Sequence, residues 1–275
     1  MKNKKAINLL GCGWLGFPLA LDLISTGFVV KGSTTSKEKT SVLKASGIDP
    51  ILVQFDHSLP DPDLSALLDA DILIVSVPPG RRTAEGPENY KRMGEILTAQ
   101  IPNSKISKLI FISSTSVYSD NNSVATESSE ISPQNTSGKV IAEIEKSLLS
   151  LPIQVIVLRL AGLFGPGRSP GWFFAGKTNI PNGYAPVNMI HQEEVIALIK
   201  SLIDSDTAEG VYIGSTPSHP TKEEFYKLAA RIDKLAEPDF IPEKLNWKIV
   251  ESERVEKELG FSYRFPNLMD RLIQS

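Results

Sequence analysis

The chain has 275 residues, 41% of them hydrophobic, enough for one large domain or a large domain with a smaller lobe. Its Lys+Arg total of 29 against 32 Asp+Glu leaves a net charge of -3, which provides no basic surface for nucleic acid. Cys12 is the only cysteine, so an intrachain disulfide and a cysteine-based zinc site are excluded, as suits a reducing compartment. Lys2, Lys4 and Lys5 resemble the start of a signal peptide. The apolar stretch after them is broken by Asn8 and three glycines, and no small-residue cleavage site follows. No run reaches the roughly 20 apolar residues of a membrane span. The expectation is a soluble cytoplasmic protein with no membrane partner, a monomer or homodimer.

Ala6-Ile7-Asn8-Leu9-Leu10 predicts a short strand, Gly11-Cys12-Gly13-Trp14-Leu15-Gly16 a glycine turn, and residues 18–24 an amphipathic helix. Gly11 allows a tight turn off the strand. Gly13, lacking a Cβ, lets a pyrophosphate approach the backbone. Gly16 lets helix and strand pack closely. With Trp14 and Leu15 these residues form a dinucleotide-phosphate cradle at a helix N-terminus. Gly27 ends the helix. Residues 28–32 read as a second strand, 36–46 as a polar helix closed by Gly47, and 51–55 as a third strand. A short helix is predicted over 64–68. The continuous apolar run 72–77 reads as a central parallel strand, stopped by Pro78-Pro79-Gly80. Residues 88–100 predict a helix, 108–113 a strand, 120–132 a surface loop, 138–149 a helix and 153–160 a strand. The alternation defines an α/β fold, a doubly wound parallel sheet (Rossmann) over residues 1–164. Residues 165–275 are expected to form a smaller α/β C-terminal lobe, with some exchange of elements, closing over the dinucleotide edge. Within it, 165–188 has no clear period. Residues 193–203 predict a helix, 211–213 a strand, 221–235 a helix with a Thr221/Glu224 capping box, and 252–259 a last helix.

At the end of the second strand a carboxylate usually meets the ribose 2′-OH of NAD. Here the run is Ser33-Thr34-Thr35-Ser36-Lys37, with no carboxylate before Glu38. Hydroxyls and lysines suit a 2′-phosphate, so NADP is expected over NAD.

Several segments together resemble the short-chain dehydrogenase/reductase superfamily, in its extended or atypical branch of NAD-dependent epimerase/dehydratase-like proteins. Phe111-Ile112-Ser113-Ser114-Thr115-Ser116-Val117-Tyr118 looks like the SS-x-x-VY strand end. Leu158-Arg159-Leu160-Ala161-Gly162-Leu163-Phe164-Gly165-Pro166-Gly167 resembles LRxxxxYGPG. Val187-Asn188-Met189-Ile190-His191 and the residues after it resemble IHVDDV, 210–214 resembles GxYNVG, and 258–261 resembles ELGW. A bacterial subgroup carrying GxGWLGxPLA, TSSTSVY, RLAGLxGPGR and PGxFFAGK is the nearest likeness. The resemblance implies cofactor contacts where the fourth strand ends, at Val77, Pro78 and Pro79. It implies that Ser114 orients the substrate oxygen and that Lys139 binds the nicotinamide ribose. The family's catalytic Tyr-x-x-x-Lys is broken: four residues before Lys139 stands Asn135. An amide cannot ionise near neutral pH. Tyr118 is the nearest replacement for the acid/base, with Tyr184 and His191 further candidates.

Two adjacent arginines, Arg81 and Arg82, follow the fourth strand, and Arg168 and Lys177 flank Trp172, Phe173 and Phe174. Cationic groups beside an apolar pocket suit a small anionic substrate. His57, His191 and His219 lack metal-ligand spacing, so no metal is expected. The function expected is NAD(P)-dependent oxidoreductase or epimerase chemistry on a small carbonyl or alcohol compound. The alternative is an NADP-binding sensor or interaction protein that has lost catalysis.

Overall fold

A computed structural model describes residues 5–80 and 85–274. In chain order the first half contains β1 (Ile7–Leu10), α1 (Gly16–Ser25), β2 (Val30–Thr34), α2 (Lys37–Ala45), β3 (Asp49–Leu52), α3 (Ser65–Leu68), β4 (Ile72–Val75), α4 (Gly86–Gln100) and β5 (Lys108–Ser114). Then follow β6 (Ser123–Ala125), α5 (Thr136–Leu149), β7 (Gln154–Leu160), β8 (Gly162–Phe164), α6 (Gly171–Phe174), β9 (Met189–His191) and α7 (Gln192–Asp204). The chain finishes with β10 (Gly210–Gly214), α8 (Lys222–Ile232), β11 (Lys248–Val250), α9 (Val255–Leu259) and α10 (Leu268–Ile273).

Seven strands form one parallel sheet in the order β10-β7-β5-β4-β1-β2-β3. From β1 the chain builds outward to β2 and β3, then returns to place β4 on the other side of β1. That reversal puts the switch point between β1 and β4, the place where open α/β sheets hold their ligands. β4 is fully buried, as its unbroken Ile-Leu-Ile-Val run requires. Asn8 is the polar exception in β1. It is 2% exposed, and its amide donates to the Leu67 carbonyl at 2.8 Å and the Ala66 carbonyl at 3.2 Å. Both carbonyls belong to the short α3, whose C-terminal acceptors have no intrahelical partner.

The chain divides into two compact units. One comprises the described residues up to Val117 with Pro133–Leu158 and Asp206–Val211; the other comprises Tyr118–Ser132, Arg159–Ser205 and the described residues from Tyr212. The boundary expected at residue 164 falls inside the second unit's Arg159–Ser205 segment. Within the first unit α4 packs along α5. The second unit has two small parallel pairs, β6 with β11 and β8 with β9. Its core gathers Phe164, Phe225, Tyr226, Phe240, Leu268 and Leu272.

Several sequence boundaries move. β2 begins and ends two residues later than predicted, so Ser33 and Thr34 lie in the strand and not in the turn after it. β3 lies at 49–52 and not at 51–55, in register with β2 through Lys31↔Asp49 and Thr34↔Leu52. Pro50 is tolerated there because β3 is the sheet's edge. The predicted loop 120–132 contains β6, Ser123-Val124-Ala125, which pairs with the equally short β11. That pairing spans more than a hundred residues of chain, beyond any local pattern. α10 was also not anticipated.

Replacing Asn8 with Ala should lower unfolding free energy by about 1–3 kcal/mol, because the buried Leu67 carbonyl and the part-buried Ala66 carbonyl lose their donor. Asn8→Asp should cost more, since a carboxylate has no donor to offer them. Urea denaturation of the three proteins checks the order.

Candidate functional site

The glycine turn holds the first unit's ligand edge. Gly11 has φ +100°, and a Cβ there would lie 2.8 Å from the Ser76 carbonyl oxygen at the end of β4. A Cβ on Gly16 would lie 2.1 Å from the Gly11 carbonyl oxygen, so α1 starts directly on the turn's own backbone. Gly13 is exposed and faces open space. α1 has neither a side-chain cap nor an acidic residue in its first turn. No group of the helix itself therefore offsets the positive end of its dipole. Trp14 is half-buried and Leu15 buried, at the helix start.

Cys12 sits inside this turn but faces inward, 8% exposed, with its sulfur filling the space left by Gly32. Burial pushes its thiol up to about 12. The acidifying effect of a helix N-terminus is outweighed by desolvation.

The hydroxyls at the end of β2 divide into two sets. Ser33 is buried; its Oγ accepts the Gly11 N–H at 2.8 Å and its carbonyl accepts the Cys12 N–H at 2.8 Å. Thr34 is buried and accepts the Ser36 N–H at 3.2 Å. These two hold the turn's shape. Thr35 and Lys37 are exposed. Ser36 caps α2 by accepting the Lys39 N–H, and donates to Glu38 at 2.5 Å. That bond holds the Glu38 carboxyl below the usual range, so it is ionised at neutral pH. At the end of β4, Val77 is half-buried beside Gly11, Pro78 is exposed and Pro79 half-buried. Arg81 and Arg82 lie outside the described residues.

At the end of β5, Ser114 is half-buried and its Oγ accepts the Ser116 N–H at 3.1 Å. Ser113 points the other way and donates to the buried Glu145 of α5. Asn135 is the N-cap of α5: its backbone is extended, and its side-chain oxygen accepts the Gly138 N–H at 2.8 Å. Position 135 is therefore off the helix. It cannot share one helical face with Lys139, as a Tyr-x-x-x-Lys pair does. Lys139 itself is exposed in the first turn of α5.

The remaining candidates belong to the second unit. Tyr118 is 3% exposed; its hydroxyl donates to the Thr126 carbonyl at 2.9 Å and accepts from Arg159 at 2.6 Å, whose guanidinium also lies 5.1 Å from the ring centre. The hydroxyl of this acid/base candidate is thus engaged in a buried network. Arg168 is exposed in a tight turn paired to Gly165. Lys177 is exposed and donates to the Phe173 carbonyl at 3.2 Å. Phe173 and Phe174 pack into the unit's core, Phe174 stacking edge-on against Tyr226 at 4.7 Å. Trp172 and Tyr184 are exposed. His191 is the N-cap of α7, accepting the Glu193 N–H at 3.2 Å. It is 2% exposed with Arg271 3.1 Å away, and desolvation, aided by that guanidinium, pushes it down to about 4. Among the described residues no cluster of His, Cys, Asp and Glu could hold a metal, and no helix is long and apolar enough to cross a membrane.

The glycine turn off β1, the switch point beside it and the seven-strand order define a Rossmann-type α/β protein with the fold of NAD-dependent epimerases, dehydratases and other short-chain dehydrogenases/reductases. WbmG of Bordetella bronchiseptica, solved in complex with NAD and UDP, superposes with a TM-score of 0.79 at 15% identity, over 99% of this chain and 94% of that one. The UDP-glucose 4-epimerase of Thermotoga maritima, solved with UDP-glucose, gives 0.77 at 15% identity over 97% and 96%. No family model matches the sequence. The chain is 39% identical over 268 residues to protein YeeZ of Escherichia coli (strain K12), covering 96% of this chain and 97% of that protein, and it belongs to the YeeZ family.

His191 gives a signed pH dependence. Its folded value is near 4 and its ordinary value 6.5, so between these the unfolded chain binds the extra proton. The stability tied to the neutral ring is complete above about pH 6.5 and is lost as pH falls towards 4. The loss should be on the order of 3 kcal/mol, read as a fall in melting temperature that His191→Asn, which keeps a capping oxygen, reduces.

Proposed function

We propose that the protein binds a nicotinamide dinucleotide at the C-terminal ends of β1, β2 and β4, and uses it in oxidoreductase or epimerase-like chemistry on a small, anionic carbonyl or alcohol compound. The observation that carries this reading is the α1 N-terminus, uncapped and without acidic residues, seated on a glycine turn at the switch point. Structural relatives solved with NAD support it. The residues present fit the group: open space at Gly13 for the pyrophosphate, the Val77-Pro78-Pro79 stretch beside the turn, and Thr35 and Lys37 for the far ribose.

NADP is the preferred form in this reading. Lys37 supplies positive charge, and Thr35 a hydroxyl. Glu38 opposes a 2′-phosphate, yet its carboxylate is turned onto Ser36. When bound, the cofactor supplies or accepts a hydride at the nicotinamide ring. Ser114 orients the substrate oxygen from the end of β5, and Lys139 holds the nicotinamide ribose from the first turn of α5. Arg168 and Lys177 are the described cations assigned to an anionic substrate. Asn135 caps α5, and the Tyr118 hydroxyl is held by Thr126 and Arg159. A second reading follows from that same bonding: an NADP-binding sensor without hydride transfer.

Calorimetry on ligand-stripped protein should register NADPH binding, tighter than NADH. Gly13→Val should weaken NADPH at least tenfold, about 1.4 kcal/mol, without lowering the melting temperature. Glu38→Gln should widen the NADPH preference. No heat with either nucleotide overturns the proposal. Oxidation of NADPH across a panel of carbonyl acids separates the enzyme from the sensor, and Ser114→Ala should then lower turnover more than NADPH affinity.

A further inference from the structure

A cavity of about 200 Å³ lies wholly within the second unit, and none of its lining residues is among those assigned above. Its walls are the segment before β9, the first turns of α8, and β11 with the residue before it. Lys222, the first residue of α8, and Lys248, the first of β11, both line it, with Asp120 between them in charge. Lys248 is committed: its ammonium lies 3.0 Å from the Asp120 carboxylate and donates to the Tyr118 carbonyl at 2.7 Å. One carboxylate thus faces two ammonium groups. Lys244, outside the lining, sits 4.0 Å from the centre of the Trp247 ring. Burial lowers the Lys222 pKa, and Asp120 only opposes that shift. The nearby carboxylates of α8 are engaged elsewhere, Glu223 by Lys227 and Glu224 by Thr221.

The other walls combine apolar and aromatic side chains, among them Met189, Tyr226 and Trp247, with the amide residues Asn188 and Asn246. They are held firmly. Trp247 and Asn122 bond in both directions, with Asn122 N–H to the Trp247 carbonyl at 2.8 Å and the Trp247 N–H to Asn122 Oδ1 at 3.1 Å. Asn188 donates to the Lys248 carbonyl at 2.9 Å and accepts the Val250 N–H at 2.8 Å. A cavity of about 150 Å³ accepts benzene, so this one has room for a single ring carrying a charged group. Excess positive charge on one side and two aromatic walls select the same class of molecule.

We propose that this cavity is a binding site for a small planar anion, one ring bearing a carboxylate or a phosphate monoester, with Lys222 as its principal charge partner and Trp247 against the ring. Benzoate and phenyl phosphate are the probes, with benzamide as the neutral control. At least one anion should bind saturably by calorimetry, and benzamide at least tenfold more weakly. Lys222→Gln should weaken the anion at least tenfold at unchanged melting temperature. In the wild-type protein the anion should shift the indole N–H resonance of Trp247, assigned with Trp247→Phe, and leave those of Trp14 and Trp172. No saturable binding, equal binding by Lys222→Gln, or a shift confined to the other two indoles overturns the proposal. NADPH binding by the same Lys222→Gln protein should be unchanged. Its absence from both proteins overturns the cofactor reading alone.

Discussion

The carbonyl of Gly11 occupies the space a Cβ on Gly16 would need, 2.1 Å away, and the first unit's ligand edge depends on that approach. It fixes where α1 begins. Once the helix starts there, its dipole and the turn's backbone share one direction, and Gly13 is left facing open space. Ser33 locks the arrangement from the neighbouring strand by taking the Gly11 N–H and, through its carbonyl, the Cys12 N–H. The inward sulfur of Cys12 then fills the gap beside Gly32. By its packing, Cys12 is a small hydrophobe.

The acid/base question turns on the same kind of local bonding. A helix leaves its first N–H groups without partners, and α5 meets that need with Asn135. Asn135 thus serves the helix it precedes. Tyr118 is drawn into a different network by Arg159 and Thr126. In the first unit Ser114 is half-buried and Lys139 exposed.

The second unit relies on polar side chains to hold short strands that could not stand alone. Glu127 accepts the Ile213 N–H at 3.1 Å, the Ser252 hydroxyl at 2.6 Å and the Glu253 N–H at 2.9 Å. Asn122 and Asn188 fasten β11 from either end. His191 caps α7 while its ring packs edge-on against Phe164 at 5.1 Å. Such groups cost stability when unsatisfied, so they specify one arrangement of a sheet-poor core.

The sequence alone determined the parallel sheet, its glycine turn and most of its helices, because those depend on local signals: an apolar run, a helical spacing, a capping box at Thr221. The tertiary structure decided what the polar residues do. Ser33 and Thr34 looked like ligand donors while the second strand was placed two residues too early; pairing with β3 moved them inside it. β6 looked like loop because its partner β11 lies far along the chain. The two lysines of the second cavity, at 222 and 248, carry no motif and meet only when α8 and β11 are folded together. A pattern reports which face of an element is buried. The partner that satisfies a hydroxyl, an amide or an ammonium group comes from residues distant in sequence, and only the folded chain brings them within reach.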